Sequence, residues 1–175
     1  LFTITYVFWP YGFSTVPETV LFSVGLFLIV FGIALSIYDL KWMILPNPLV
    51  YWFGFFAITW LAALSFVEQS SIPLISGLIG ALGFGGFFYA LYQLSSGKWI
   101  GGGDVRLGFM LGLILGWQKS IVGLAVATYL ATMVILVLVA IGKFHKKMHI
   151  PFGPFLLAGT LFTLLWGQAV VDWYF

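Results

Sequence analysis

Cysteine is absent from these 175 residues, so disulfides, thiolate metal sites and cysteine nucleophiles are excluded together. Charge is scarce as well: Asp, Glu, Lys and Arg make up 7% of the chain, against roughly a quarter of an ordinary soluble domain. A soluble fold cannot be reconciled with that deficit. The net charge of +2 comes from seven scattered Lys and Arg, which argues against nucleic acid as a partner. Histidine occurs only at 145 and 149, no signal peptide is recognisable, and residue 1 is Leu, so the sequence reads as a fragment or a processed form.

What is plentiful is apolar, 62% of the chain. Charge-free runs occupy 19–38, 42–67, 69–97, 107–118, 120–142 and 150–171. Most of them reach the roughly 20 apolar residues that cross a bilayer. The fold class expected is an all-α integral membrane protein of about six transmembrane helices, near 16–38, 48–67, 72–96, 105–117, 120–142 and 151–171. The lipid bilayer is then its first partner. Thr15-Val16-Pro17-Glu18 has the spacing of a capping box with Pro in the first helical turn, which predicts a helix from about 16 toward Tyr38. Before it, Trp9, Tyr11 and Phe13 suit a membrane interface, and 1–8 can be read as the tail of a further helix.

The connections alternate sides. Lys41, Lys98, Arg106, Lys143, Lys146 and Lys147 fall on one side and Lys119 alone on the other, which makes the first side cytoplasmic by the positive-inside rule. Asp39 and Asp104 lie on that side, while Glu18, Glu68 and Asp172 lie on the other. The fourth segment is anomalous. Leu107 to Trp117 spans only about 16 Å as a helix, half of a hydrocarbon core, so either the preceding loop dips into the membrane or the bilayer thins. Gly108, Gly112 and Gly116 along it, and Gly77, Ala81 and Gly85 on the third segment, form small-xxx-small faces for close helix packing.

Candidates for acid-base chemistry reduce almost to the five carboxylates. Asp39 closes the first span, and Asp104 follows Gly101-Gly102-Gly103 directly before the short fourth one. Carboxylates at membrane depth are costly to ionise and tend to face a polar cavity. Two that meet would share one proton, a state suited to peptide hydrolysis: one removes a proton from water while the other donates to the scissile carbonyl. Taken singly, Asp104 is better read as a helix N-cap and Asp39 as an interfacial charge beside Lys41. The three glycines favour the catalytic reading, because they would let an extended substrate lie against the chain beside the acid. Arg106 breaks any Gly-x-Gly-x-x-Gly register, which argues against a nucleotide site. His145 and His149 stand at i, i+4, but three lysines interleave with them and no carboxylate is near, so a headgroup-facing loop is preferred to a metal site.

These residues resemble the type IV prepilin peptidases, which with presenilin-like proteins form the Gly-x-Gly-Asp aspartyl proteases. Asp39-Leu-Lys-Trp-Met-Ile-Leu-Pro46-Asn47 resembles the family's first motif, and Gly101-Gly102-Gly103-Asp104-Val105-Arg106 its second, with Arg106 where Lys is common. Pro151-Phe152-Gly153-Pro154 resembles the stretch that opens its last span and separates it from the presenilin-like Pro-Ala-Leu pattern. The resemblance implies an aspartic endopeptidase that removes the leader of type IV prepilins or pseudopilins at the cytoplasmic face of a prokaryotic inner membrane. Asp39 and Asp104 are its catalytic pair, with Gly101, Gly102 and Gly103 along the substrate path and Pro151 to Pro154 bordering the site.

Pro46 and Asn47 are expected to be structural, Asn47 as the cap of the second span. Arg106 is expected either to hold its loop at the interface or to meet Asp104. Proteolysis by two carboxyls needs no cofactor. Many bacterial members also methylate the new amino terminus with S-adenosylmethionine and carry an N-terminal cytoplasmic region with paired Cys motifs, a region missing here, so methyl transfer is neither assigned nor denied. Nothing in the sequence assigns an oligomeric state. The rival of another class is a proton- or cation-coupled transporter subunit using the same two aspartates; it leaves Pro-Phe-Gly-Pro without an account, and the chain shows no internal repeat. A non-enzymatic secretion subunit is the other rival, and the intact acids argue against it.

Overall fold

A computed structural model describes residues 6–7, 9, 11–143, 148 and 150–174. Among them the regular structure is helical, in five helices long and apolar enough to cross a membrane. They are α1 (Val16–Trp42), α2 (Asn47–Val67), α3 (Ile72–Leu94), α4 (Gly102–Ala140) and α5 (Gly153–Tyr174).

The start of α1 follows from its sequence. Thr15 is the N-cap, its hydroxyl accepting from the Glu18 N–H, while Glu18 Oε2 accepts from the backbone N–H groups of Ser14 and Thr15 at 2.7 and 3.0 Å. This reciprocal arrangement satisfies donors that a helix start would otherwise leave bare. The helix runs past Tyr38, so Asp39 lies in its last turn. It ends at Met43, whose left-handed φ of 53° turns the chain, and whose N–H donates to the Asp39 carbonyl at 2.8 Å. Lys41 in that turn complements the negative end of the helix.

Five elements are counted rather than six because the expected fourth and fifth spans are the two arms of α4, joined at a break. The division falls at Gly116, not at Lys119: Gly116 has φ 72° and ψ 174°, a conformation that residues with a Cβ rarely adopt. A Cβ placed at Gly123 would lie 2.9 Å from Leu115 Cδ1. In a straight helix those positions are about 12 Å apart along the axis, so the chain turns sharply back at Gly116. Lys119 is therefore helical rather than part of a connection.

The arm 102–115 packs on α3 with almost no space between backbones. A Cβ at Gly80 would meet the Gly112 carbonyl oxygen at 2.5 Å and the Gly116 carbonyl carbon at 2.6 Å. The small-residue faces thus serve packing, as expected. α3 itself contains a π-helical turn at Ala81–Gly85. The arm 117–140 packs instead on α5, where Gly159 is pressed against Gly123 and Ala127. α2 joins α1 to α4, and the buried core of Leu21, Leu35, Phe53, Phe88, Leu107, Leu111 and Leu156 draws on all five helices.

Candidate active site

Three chain ends meet at one end of the bundle: the last turn of α1, the first turn of α4 and the first turn of α5. Asp39 is only 6% exposed, and its Oδ2 accepts a hydrogen bond from the Gly153 N–H at 3.1 Å. The start of α5 thereby offers a free backbone donor, and the positive end of a helix, to a carboxylate. Asp104 approaches the same residue. A Cβ built on Gly153 would lie 2.6 Å from Asp39 Oδ2 and 3.7 Å from Asp104 Oδ1. The two oxygens are thus no farther apart than the sum of those distances, within the range over which carboxylate charges act on each other. Glycine at 153 is required by space, since no side chain fits between the acids.

Both acids line a cavity of about 600 Å³. Its walls include Gly101, Pro151 and Phe152 from the expected set, with Ile150 beside them, and also Phe87, Phe88, Leu91, Trp99, Leu124 and Thr128, which no motif had singled out. Phe152 packs on Phe88 at 6.1 Å between ring centroids. The one signal available for the wall residues on α3 is their position at the charged end of that span. Lys98 lines the cavity at its exposed rim. Pro154 faces the other way, into an apolar cavity of about 410 Å³ between α1 and α5.

Several expected roles are corrected. Gly102 and Gly103 are not an open loop; they form the first turn of α4, with Gly101 as its extended N-cap residue. Gly103 is needed for a close approach, because its Cβ would meet Leu45 Cβ and Cδ1 at 3.0 Å. Asn47 makes no capping bond: the N-cap position of α2 is Pro46, which has no hydroxyl or carboxylate to offer. The Asn47 Oδ1 instead accepts a hydrogen bond from Arg106 Nη1. Arg106 therefore holds the α1–α2 connection and does not reach toward Asp104. Among the described residues no three metal-ligating side chains converge, and His145 and His149 lie outside the described residues.

Comparison with known proteins finds the type IV leader peptidase family over residues 26–142. The prepilin leader peptidase/N-methyltransferase of Aeromonas salmonicida is 31% identical over 146 residues, covering 81% of this chain and 48% of that protein. Proteins of the same name from Legionella pneumophila (27% identical; 97% of this chain, 57% of that protein) and Bacillus subtilis (26%; 81% and 55%) also match. The chain spans about half the length of the curated relatives it matches. No solved structure matches it. The matched stretch carries both acids and most of the helical bundle, and the chain belongs to the type IV leader peptidase family.

Proposed function

We propose that this chain is an intramembrane aspartyl endopeptidase that removes the leader of type IV prepilin-like proteins, with Asp39 and Asp104 as its catalytic carboxyls. The observation that carries the reading is the convergence of the two acids on Gly153 at the wall of one cavity, at the end of the bundle where Lys41, Lys98 and Arg106 also gather. The excess of positive charge at that end supports a cytoplasmic location for it.

In the reaction, Asp39 acts as the carboxylate, because it accepts the Gly153 N–H at the start of α5. It takes a proton from a water molecule, whose oxygen attacks the scissile carbonyl carbon. Asp104 enters protonated and donates to the carbonyl oxygen. The tetrahedral intermediate then collapses, the C–N bond breaks, and the proton held by Asp39 passes to the departing amine. As the gem-diol becomes the new carboxyl, Asp104 takes a proton back from one of its hydroxyls, so both acids return to their starting states and the cycle calls on no metal or nucleophilic side chain.

The relatives' name also includes methyl transfer, for which S-adenosylmethionine would be the donor. Among the described residues the ionisable groups on the cavity wall are Asp39, Asp104 and Lys98, and none is assigned to that donor. No step is assigned to that cofactor.

The test is incubation of the detergent-solubilised protein with a type IV prepilin, beside Asp39→Asn and Asp104→Asn, following leader removal by mass spectrometry. Cleavage by the unmodified chain that either substitution abolishes is the expected result. A folded chain that leaves the prepilin intact, with a full-length version equally inert, removes the protease reading and makes proton or cation transport the next assay.

A further inference from the structure

The two acids sit on helices that have no extended packing interface with each other. α1 packs on α2 and α5; α4 packs on α2, α3 and α5. Their separation must therefore be set through intermediaries. Gly153 on α5 is one, by its hydrogen bond to Asp39. A second is the connection from α1 to α2, which begins at Met43 on the cavity wall. Four residues after Asp39, Met43 reverses the chain, and the connection returns along the first turn of α4. There Leu45 occupies the space that a Cβ on Gly103 would need, and Asn47 accepts a hydrogen bond from Arg106.

The register of α4 makes this tie useful. Arg106 is two residues beyond Asp104, which puts the two side chains on nearly opposite faces of one helix. Asp104 can then face the cavity while Arg106 reaches across to the start of α2 with no competition between them. The guanidinium is a permanent charge, so its bond to the Asn47 carbonyl oxygen is a charge-assisted one. Both side chains are exposed, so the bond adds little to global stability; its effect is local, on where the α4 start lies relative to the α1 end.

We infer that Arg106 and Asn47, with Leu45 seated on Gly103, are positioning residues that set the distance between Asp39 and Asp104. The inference rests on the proposed protease reading only for its kinetic consequence; the spacing itself can be measured without activity. The 175 residues contain no Cys, so an Asp39→Cys, Asp104→Cys pair is a clean reporter. Mild oxidation of that protein in detergent, with and without Asn47→Leu or Arg106→Met, gives the rate of disulfide formation. Either substitution is expected to slow it several-fold, and Asn47→Asp, which keeps the acceptor, to restore it. With the acids intact, Asn47→Leu and Arg106→Met should each lower kcat for prepilin cleavage by roughly 10- to 100-fold with KM little changed. The double variant should be no worse than either single one, because both remove the same bond. An unchanged cross-linking rate, or additive losses in the double variant, would overturn the inference. Normal cross-linking effects with no cleavage by the unmodified chain would instead remove the protease reading and leave the positioning role standing.

Discussion

Both ends of the bundle collect ionisable side chains, and they handle them in opposite ways. At the end away from the cavity, Lys119 lies within electrostatic reach of Glu68 and Asp172, and the Tyr11 hydroxyl donates to Glu68 at 3.5 Å. Opposite charges are matched there, and nearby Trp9 packs edge-to-face on Phe22 and Trp60. At the cavity end, two like-charged groups are held together and the positive side chains stay outside: Arg106 is engaged by Asn47, and Lys98 lies on the rim. Matching neutralises charge and closes a bundle. Holding two acids together costs stability and makes sense where a proton is to be moved.

That contrast can be tested at each end, and the largest effect should come from the acids. Asp39→Asn or Asp104→Asn should lower cleavage by about 1000-fold or more while leaving thermal unfolding in detergent nearly unchanged, since each replacement keeps the side chain's volume and its hydrogen-bond acceptor oxygen. Next comes Gly153→Ala, whose Cβ would lie 2.6 Å from Asp39 Oδ2. Asp39 has to move away, and kcat should fall roughly 100-fold by steady-state assay, with unfolding little affected.

Between the two ends, Gly80→Ala presses a methyl group into backbone atoms of α4 and should destabilise by about 1–3 kcal/mol. Gly86→Ala meets nothing within 4 Å and should leave stability unchanged or slightly raise it by helix propensity, as read by thermal scans of the two variants side by side. At the neutralised end the effect is smallest. Burial, and then the charge and hydrogen bond of Glu68, push the Tyr11 phenol up from 10.0 to about 12. The fold thus favours the neutral phenol; the stability this contributes is full below pH 10 and is lost as pH climbs through about 12. Ultraviolet titration of the phenol, with Tyr11→Phe as the subtraction, should show its midpoint fall in Glu68→Gln.

The helices and the capping box at Thr15 were readable, because hydropathy and cap chemistry are local properties. The pairing of Asp39 with Asp104 was readable only as an expectation, through three motifs in a fixed order. Other features were hidden because they depend on contacts between distant residues. Asn47 looks like a cap beside Pro48, and nothing local reveals that its oxygen is taken by a guanidinium 59 residues away. Gly153 looks like a turn residue between two prolines, yet its absent side chain is what lets two carboxyls converge. The division of α4 was sought at Lys119 because charge marks span ends. The chain turns at Gly116 because a positive φ is cheap there and because the backbone of α3 is already in contact.

The π-helical turn of Ala81–Gly85 has a consequence for how α3 can change over time. Such a turn behaves as one residue inserted into an ordinary helix, offsetting the two halves by about 100° in phase. The first half presents Gly77 and Gly80 to α4, and the second presents Phe87 and the buried Phe88 to the cavity. Deleting Gly83 would bring both halves into a single phase and rotate the cavity wall away from the acids. A length change within this turn is therefore more disruptive than a substitution at an exposed position on either side of it, such as Gly86.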